Sequence, residues 1–465
     1  MRREGGVRRA MVATAALVAG VSCLSCESPP ASDVESPIVT SGTTRLRVDQ
    51  PEGTVAIVGG VLLDLSGGGA GTADVQDAVV VFRGDTILAV GTASDVSIPT
   101  DAMVIDAAGK WILPGLIDAF AVQNNQAYAD AYLALGVTSL IGVSGGRRGP
   151  MYLDADPGPR IFTLESVGDE PMPSDDSVLG AVDSLAVAGT RVALLMYGLT
   201  PDQLRLAHRR AREHGMATIG ELGNSTYAEG NAIGLDAFVH TTRYSLDAAP
   251  RDMAAAVAAE PFSDNLESPK WRYYRWLAGA DLESPAVTQN AQRLGRGPAV
   301  LIPTLSLLYL DMSEHENPWS WPTAGWISPA DVNAPANADT GEHDYDDARA
   351  RAYAEVARRV IELERLNHAA GARYVAGSAT DVWGTMPGIS LHTELELLTR
   401  IGLDPREALA AATTNPALTF GFEGIGVIEP GGRADLVVLD SDPTLDLRAA
   451  RTPYLVVSAG QLIRR

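Results

Sequence analysis

Cysteine is almost missing from this chain of 465 residues, which has two, Cys23 and Cys26, both near the N-terminus. The body of the protein therefore holds neither a disulfide framework nor a thiolate-ligated metal, and any metal site must draw on histidine and carboxylate. Lysine is as scarce, with Lys110 and Lys270 alone. Lys and Arg together number 36 against 58 Asp and Glu, a formal charge of −22, which argues against an electrostatic grip on nucleic acid or on an anionic membrane face. The apolar run from Ala10 to Val21 is too short to span a membrane. No short-period repeat is visible. What remains, with 46% hydrophobic and 20% charged residues, is an ordinary globular chain, long enough for one barrel-sized domain and a smaller one.

Arg2, Arg3, Arg8 and Arg9 precede that apolar run, so residues 1–22 read as a signal peptide. The Cys in Val-Ser-Cys23 or Leu-Ser-Cys26 resembles the lipid acceptor of a bacterial lipoprotein signal, with plain secretion as the alternative. The expected location is the bacterial cell envelope, lipid-anchored or periplasmic, with the membrane met only through that anchor. Residues 23–53 are rich in Pro and Ser and read as a tether.

From Thr54 short apolar runs punctuated by Gly begin, and they return after residue 424, which predicts a composite β-sandwich from residues 54–110 and 424–465. Between them eight apolar runs alternate with helical or loop patterns: ILPGLID, VTSLIGV, RIFTLES, RVALLMY, MATIGE, DAFVHT, AVLIPTL and RYVAGS. Eight such strands predict an α/β fold with a (β/α)8 TIM-type barrel over residues 111–423. Thr200-Pro201-Asp202 predicts the start of a helix that stops at Gly215. It carries His208 and His214, read as packing or solvated residues. His315 and His343 fall in a polar loop and His368 near a helix end. Connections 242–298 and 314–345 exceed ordinary loop length. The second holds Trp319, Trp321 and Trp326, either a lid or ligand platform over the barrel mouth or aromatics pinning a loop to its rim.

The strings ILPGLIDAF, PGISLHTELELLTRIGLDPREALAAATTNPA and GIGVIEPGGRADLVVLDSDP are similar to the amidohydrolase superfamily, in its imidazolonepropionase and Xaa-Pro dipeptidase branch, over roughly Val55 to Ile463. The resemblance implies a metal-dependent hydrolase of carbon–nitrogen bonds in small cyclic or peptide-like substrates, in which a metal-activated water attacks a polarised carbonyl. It also implies Asp-x-His-x-His on the first strand, where this chain has Asp118-Ala119-Phe120-Ala121-Val122. Leu194 stands at the family's bridging lysine, and Glu221 replaces the fifth-strand histidine. His240 keeps the sixth-strand histidine and Asp381 the eighth-strand aspartate, although counting back from PGISLH would place Ala379 there. His392 resembles a position the family fills with His, and without metal its role is structural.

Four of the six inherited positions, Phe120, Val122, Leu194 and Glu221, are thus replaced. Apolar side chains cannot ligate, so the dinuclear centre is not expected. Two readings follow. In the first, the chain is a non-catalytic or strongly diverged envelope lipoprotein that binds a small-molecule or peptide-like ligand or partner at the barrel mouth, needs no cofactor, and pairs Glu221 with His240. In the second it is a working hydrolase of amide, cyclic amide or dipeptide-like bonds with one metal or none, a single zinc resting on Glu221, His240 and Asp381.

Overall fold

The computed structural model describes residues 44–143, 151–240, 247–250, 252, 276–332, 337–343 and 345–465. The signal peptide, Cys23 and Cys26, most of the tether and much of the 242–298 connection lie outside the described residues.

The N-terminal part contributes β1 (Arg47–Asp49), β2 (Thr54–Leu62), β3 (Val75–Arg83), β4 (Thr86–Thr92), β5 (Met103–Asp106) and β6 (Trp111–Pro114). Along β2, Val55 and Ile57 join one apolar core while Ala56 joins another on the opposite face. On β3, Ala78, Val80 and Phe82 alternate in the same way with Val79 and Val81. A period of two is what a strand covered on both faces requires.

The barrel strands follow: β7 (Leu116–Ala121), β8 (Val137–Val143), β9 (Arg160–Val167), β10 (Val192–Met196), β11 (Ala217–Glu221), β12 (Ala237–Val239) and β13 (Val300–Ile302). They form one parallel sheet in chain order. The chain returns to the first sheet with β14 (Leu436–Leu439), β15 (Leu455–Ser458) and β16 (Gln461–Arg464). That sheet runs β1-β16-β15-β14-β6-β2-β3-β4 with β5 beside β2, so both chain ends build it. A bridge from Thr86 to Arg433 brings β4 back against the segment leading into β14. The last residues of the segment read as a tether are therefore ordered: β1 pairs antiparallel with β16, Val48 opposite Ile463.

The barrel interior is packed, not hollow. Val192, Leu194 and Met196 of β10 face it with Ile219, Val239 and Ile302, whereas Ala193 and Leu195 face the surrounding helices. Two covered faces explain why these strands read as continuous apolar strings. Phe420 and Phe422 plug the end of this interior, Phe422 stacking on Phe162 at 3.7 Å. Seven strands are regular, and the eighth expected one, around Arg373–Ser378, is held otherwise. Tyr374 bridges Leu301, Ala119 N donates to Ala376 O at 3.0 Å, and Ala379 N donates to Phe120 O at 2.8 Å. The ladder breaks there because Ser378 N donates to the Asp118 side chain at 2.9 Å and Ala379 takes a left-handed φ of 50°.

The helix Pro201–Glu213 starts with Thr200 and Gln203 in a reciprocal capping box and Pro201 in its first turn. In the 314–345 connection, Trp326 packs with Leu133, Ala134, Val456 and Ile463, and the Arg451 guanidinium lies 4.7 Å over the Trp321 ring. Among the described residues no helix is long and apolar enough to cross a membrane.

Candidate active site at the barrel mouth

The mouth is built by residues just past the strand ends. His240 follows β12, where strict alternation would turn it outward with Phe238. Its φ of 53° breaks that alternation, and its ring meets the interior-facing Phe120 edge to face at 5.3 Å. His240 Nδ1 shares a hydrogen with Thr304 Oγ1 at 2.5 Å, and Thr304 Oγ1 also reaches Pro303 O at 2.7 Å. Thr304, Ala379 and Trp383 are left-handed as well, with φ of 52°, 50° and 50°. Four such non-glycine residues around one opening mark it as the place where the fold stores backbone strain, as functional sites do.

Asp381 is buried on the other side of the opening. Its Oδ2 accepts from Asn124 Nδ2 at 2.7 Å and from the Tyr128 hydroxyl at 2.9 Å, so the segment after β7 fixes it. Tyr128 also reaches the Asp331 carbonyl at 2.9 Å. Glu221, buried, ends β11 opposite Met196.

Behind the mouth lies a carboxyl network. Asp118 Oδ1 accepts from Ser378 N at 2.9 Å and Phe120 N at 3.3 Å, while its Oδ2 is buried without a partner. Burial pushes the Asp118 carboxyl up to about 6, against the lowering effect of those bonds. Glu394, fully buried on the helix Ile389–Ile401, accepts from Ser306 N at 2.6 Å, and its Oε1 is likewise unpartnered. Burial raises it to about 8, with the nearby Asp118 adding to the shift. Ser306 Oγ donates to Ser378 O at 2.8 Å and so ties the two acids together.

Of the six inherited positions the structure brings Phe120 and Leu194 into one interior cluster, with His240 against Phe120. Val122 lies past the end of β7 and packs with the outer cluster, away from Phe120. Asn124, Tyr128, Thr304 and Glu394 escaped the sequence reading. Glu394 had a signal two residues from His392, in the same string. His392 itself is buried, bonds through Nε2 to Leu135 O at 2.9 Å, and is pushed down to about 4 by that burial.

The amidohydrolase family model matches residues 328–463. Imidazolonepropionase of Symbiobacterium thermophilum is 28% identical over 447 residues, covering 85% of this chain and 92% of that protein. Residues 328–463 are thus an amidohydrolase family domain, and along most of its length the chain is similar to imidazolonepropionase. Many solved structures share its fold, two of which follow. Bottromycin amidohydrolase has a TM-score of 0.64 at 18% identity, covering 89% of this chain and 87% of its own. A Xaa-Pro dipeptidase with methionine bound in its active site has a TM-score of 0.60 at 15% identity, covering 89% of this chain and 100% of its own.

The amidohydrolase family domain implies a metal centre at this mouth. Phe120 and Leu194 offer no lone pair and sit in the apolar interior. Among the described residues no three His, Cys, Asp or Glu side chains gather closely enough to hold a metal ion. Asp381 Oδ2 already takes two neutral donors, and His240 Nδ1 is engaged by Thr304. The donor set does not fit a dinuclear centre.

Proposed function

We propose that this amidohydrolase-superfamily chain uses the barrel mouth to bind a small amide-bearing or peptide-like molecule without a dinuclear metal centre. The observation that carries the reading is the edge-to-face contact between the Phe120 and His240 rings, where the resemblance implies two histidine ligands. An aromatic wall beside His240 and the bound Asp381 carboxylate suits an organic ligand with one polar group, and it desolvates an ion without compensating it. The names of the similar proteins, imidazolonepropionase and Xaa-Pro dipeptidase, suggest the ligand class.

The test joins metal content to binding. Protein purified without chelator should carry well under one zinc per chain, and an N-acyl amino acid or dipeptide panel should contain saturable ligands that are not turned over. One zinc per chain together with metal-dependent amide hydrolysis would overturn the reading. That second reading, a working hydrolase of amide, cyclic amide or dipeptide-like bonds, is favoured by one observation: the strained ring of His240, Thr304, Ala379 and Trp383 still surrounds the opening. We further propose that the chain works at the bacterial cell envelope, anchored by lipid on Cys23 or Cys26. Replacing both with Ala should move it out of the membrane fraction, and persistence there would exclude this anchor.

A further inference from the structure

The barrel end opposite the mouth carries three arginines. Arg160 opens β9 two residues before the interior-facing Phe162, so it lies on the same side of the strand, at the rim. Its guanidinium carbon stands 4.7 Å from the Phe162 ring centroid. Arg191, just before β10, stands 5.9 Å from the same centroid and 6.0 Å from that of Phe422. The two rings are stacked within 7° of parallel. Arg433 closes the group and is neutralised, by Asp435 at 3.0 Å and Asp85 at 3.6 Å.

Arg160 and Arg191 are held differently. Among the described residues neither makes an ion pair or a side-chain hydrogen bond, although the chain carries 58 acidic residues. Arg160 is half-buried, and burial, then Arg433 and Arg191, pulls its guanidinium below the ordinary arginine range, against the opposing pull of the Asp435 and Asp85 carboxylates near it. Removing a guanidinium partly from water without an acceptor costs free energy unless something else supplies one. The Phe162 face covers the flat side of the Arg160 guanidinium and leaves its N–H edges, the part that takes a planar or tetrahedral oxyanion in two bonds, uncovered, while Arg191, nearly equidistant from the two stacked rings, stands at the edge of the stack.

We propose that Arg160 and Arg191 form a binding site for a small oxyanion of the phosphate type, at the barrel end away from the mouth. The Phe162 face fixes the Arg160 guanidinium plane, so that half of the site is organised before its ligand arrives. A doubly charged tetrahedral anion engages both edges, whereas a monocarboxylate engages one.

Titration calorimetry with inorganic phosphate and, separately, acetate at matched ionic strength tests this. Phosphate should bind the full chain at least tenfold more tightly than acetate, and Arg160→Gln/Arg191→Gln should weaken phosphate binding at least tenfold. Arg191 is exposed, so Arg191→Gln alone leaves a folded variant in which the loss should still be read. Thermal melts in phosphate-free chloride buffer add a second reading, in which Arg191→Gln melts no lower than the parent because a repelling charge is removed. No phosphate binding by the parent, equal weak binding of phosphate and acetate, undiminished binding in the variants, or a lowered melt for Arg191→Gln would each overturn the proposal.

Discussion

The two ends of the barrel handle buried charge in opposite ways. Behind the mouth, Asp118 and Glu394 accept hydrogen bonds from neutral donors, and burial pushes them up to about 6 and about 8. At the far end, Arg160 rests on the Phe162 face and Arg191 stands at the edge of the Phe162–Phe422 stack, both at the rim. A carboxyl group denied a counterion can keep a proton and become neutral; arginine cannot give its proton up. The acids can therefore lie deep in the wall, while the arginines stay where an anion or solvent reaches their edges.

The largest expected effect asks whether the mouth is packed as firmly as the far end. Phe120, 9% exposed, and Phe422, 5% exposed, both belong to the interior cluster. Phe120→Ala and Phe422→Ala should each cost about 4 kcal/mol by chemical denaturation, the scale for emptying an aromatic site in a core. A cost below about 1 kcal/mol for Phe120→Ala alone would mean that its ring fills an open ligand space rather than a packed wall.

Glu394 sharpens the comparison through pH. Its folded value, about 8, lies above the ordinary 4.5, so between those values the folded state binds more protons than the unfolded one. Stability from this group is full below about pH 4.5 and is lost as pH rises through 8. From pH 6 to pH 9 the loss amounts to about 3 kcal/mol at most. Glu394→Gln copies the neutral form and should flatten that slope in urea midpoints measured across the range. Arg160→Gln should leave the slope in place, and an unchanged slope in Glu394→Gln would show the acid ionised in the folded state. A smaller effect is expected at Thr304→Val, which removes the partner of His240 Nδ1 and should cost about 1 kcal/mol.

Much of this was legible in the sequence where one residue type does one job. The parallel barrel strands were legible because Val192, Leu194 and Met196 against Ala193 and Leu195 leave a continuous apolar string that needs two covered faces. The Thr200-Pro201 helix start was legible because capping is local. β1 was not, since Arg47–Asp49 is short and polar and its partner is the far end of the chain. The eighth barrel segment was legible in RYVAGS, which lies between β13 and β7 and bonds to both, but its early end was not, because Ser378 gives its N–H to the Asp118 side chain. At the mouth, spacing placed Phe120 and Val122 together, yet the chain leaves β7 at Ala121 and Val122 joins the outer core. Asn124 and Tyr128 were illegible for a related reason: their partner, Asp381, is more than 250 positions away.

The last and smallest effect concerns how the mouth holds Asp381 without an arginine among the partners on its Oδ2. Asn124 Nδ2 and the Tyr128 hydroxyl both donate to that oxygen, and the hydroxyl divides its one proton between Asp381 and the Asp331 carbonyl. Removing Asn124 leaves Oδ2 a stronger acceptor for the hydroxyl, whose proton then favours Asp381 over the Asp331 carbonyl. Asn124→Ala and Tyr128→Phe should each cost about 1 kcal/mol, the net worth of one such bond. The double variant leaves a buried carboxylate oxygen with neither donor, so its cost should exceed the sum of the singles by about 0.5 to 1 kcal/mol. Denaturation midpoints of the four proteins, taken at one pH, measure that excess. Strict additivity would show that Asp381 is held chiefly through its other oxygen, and would place the organising contact of the mouth on the His240 side of the opening.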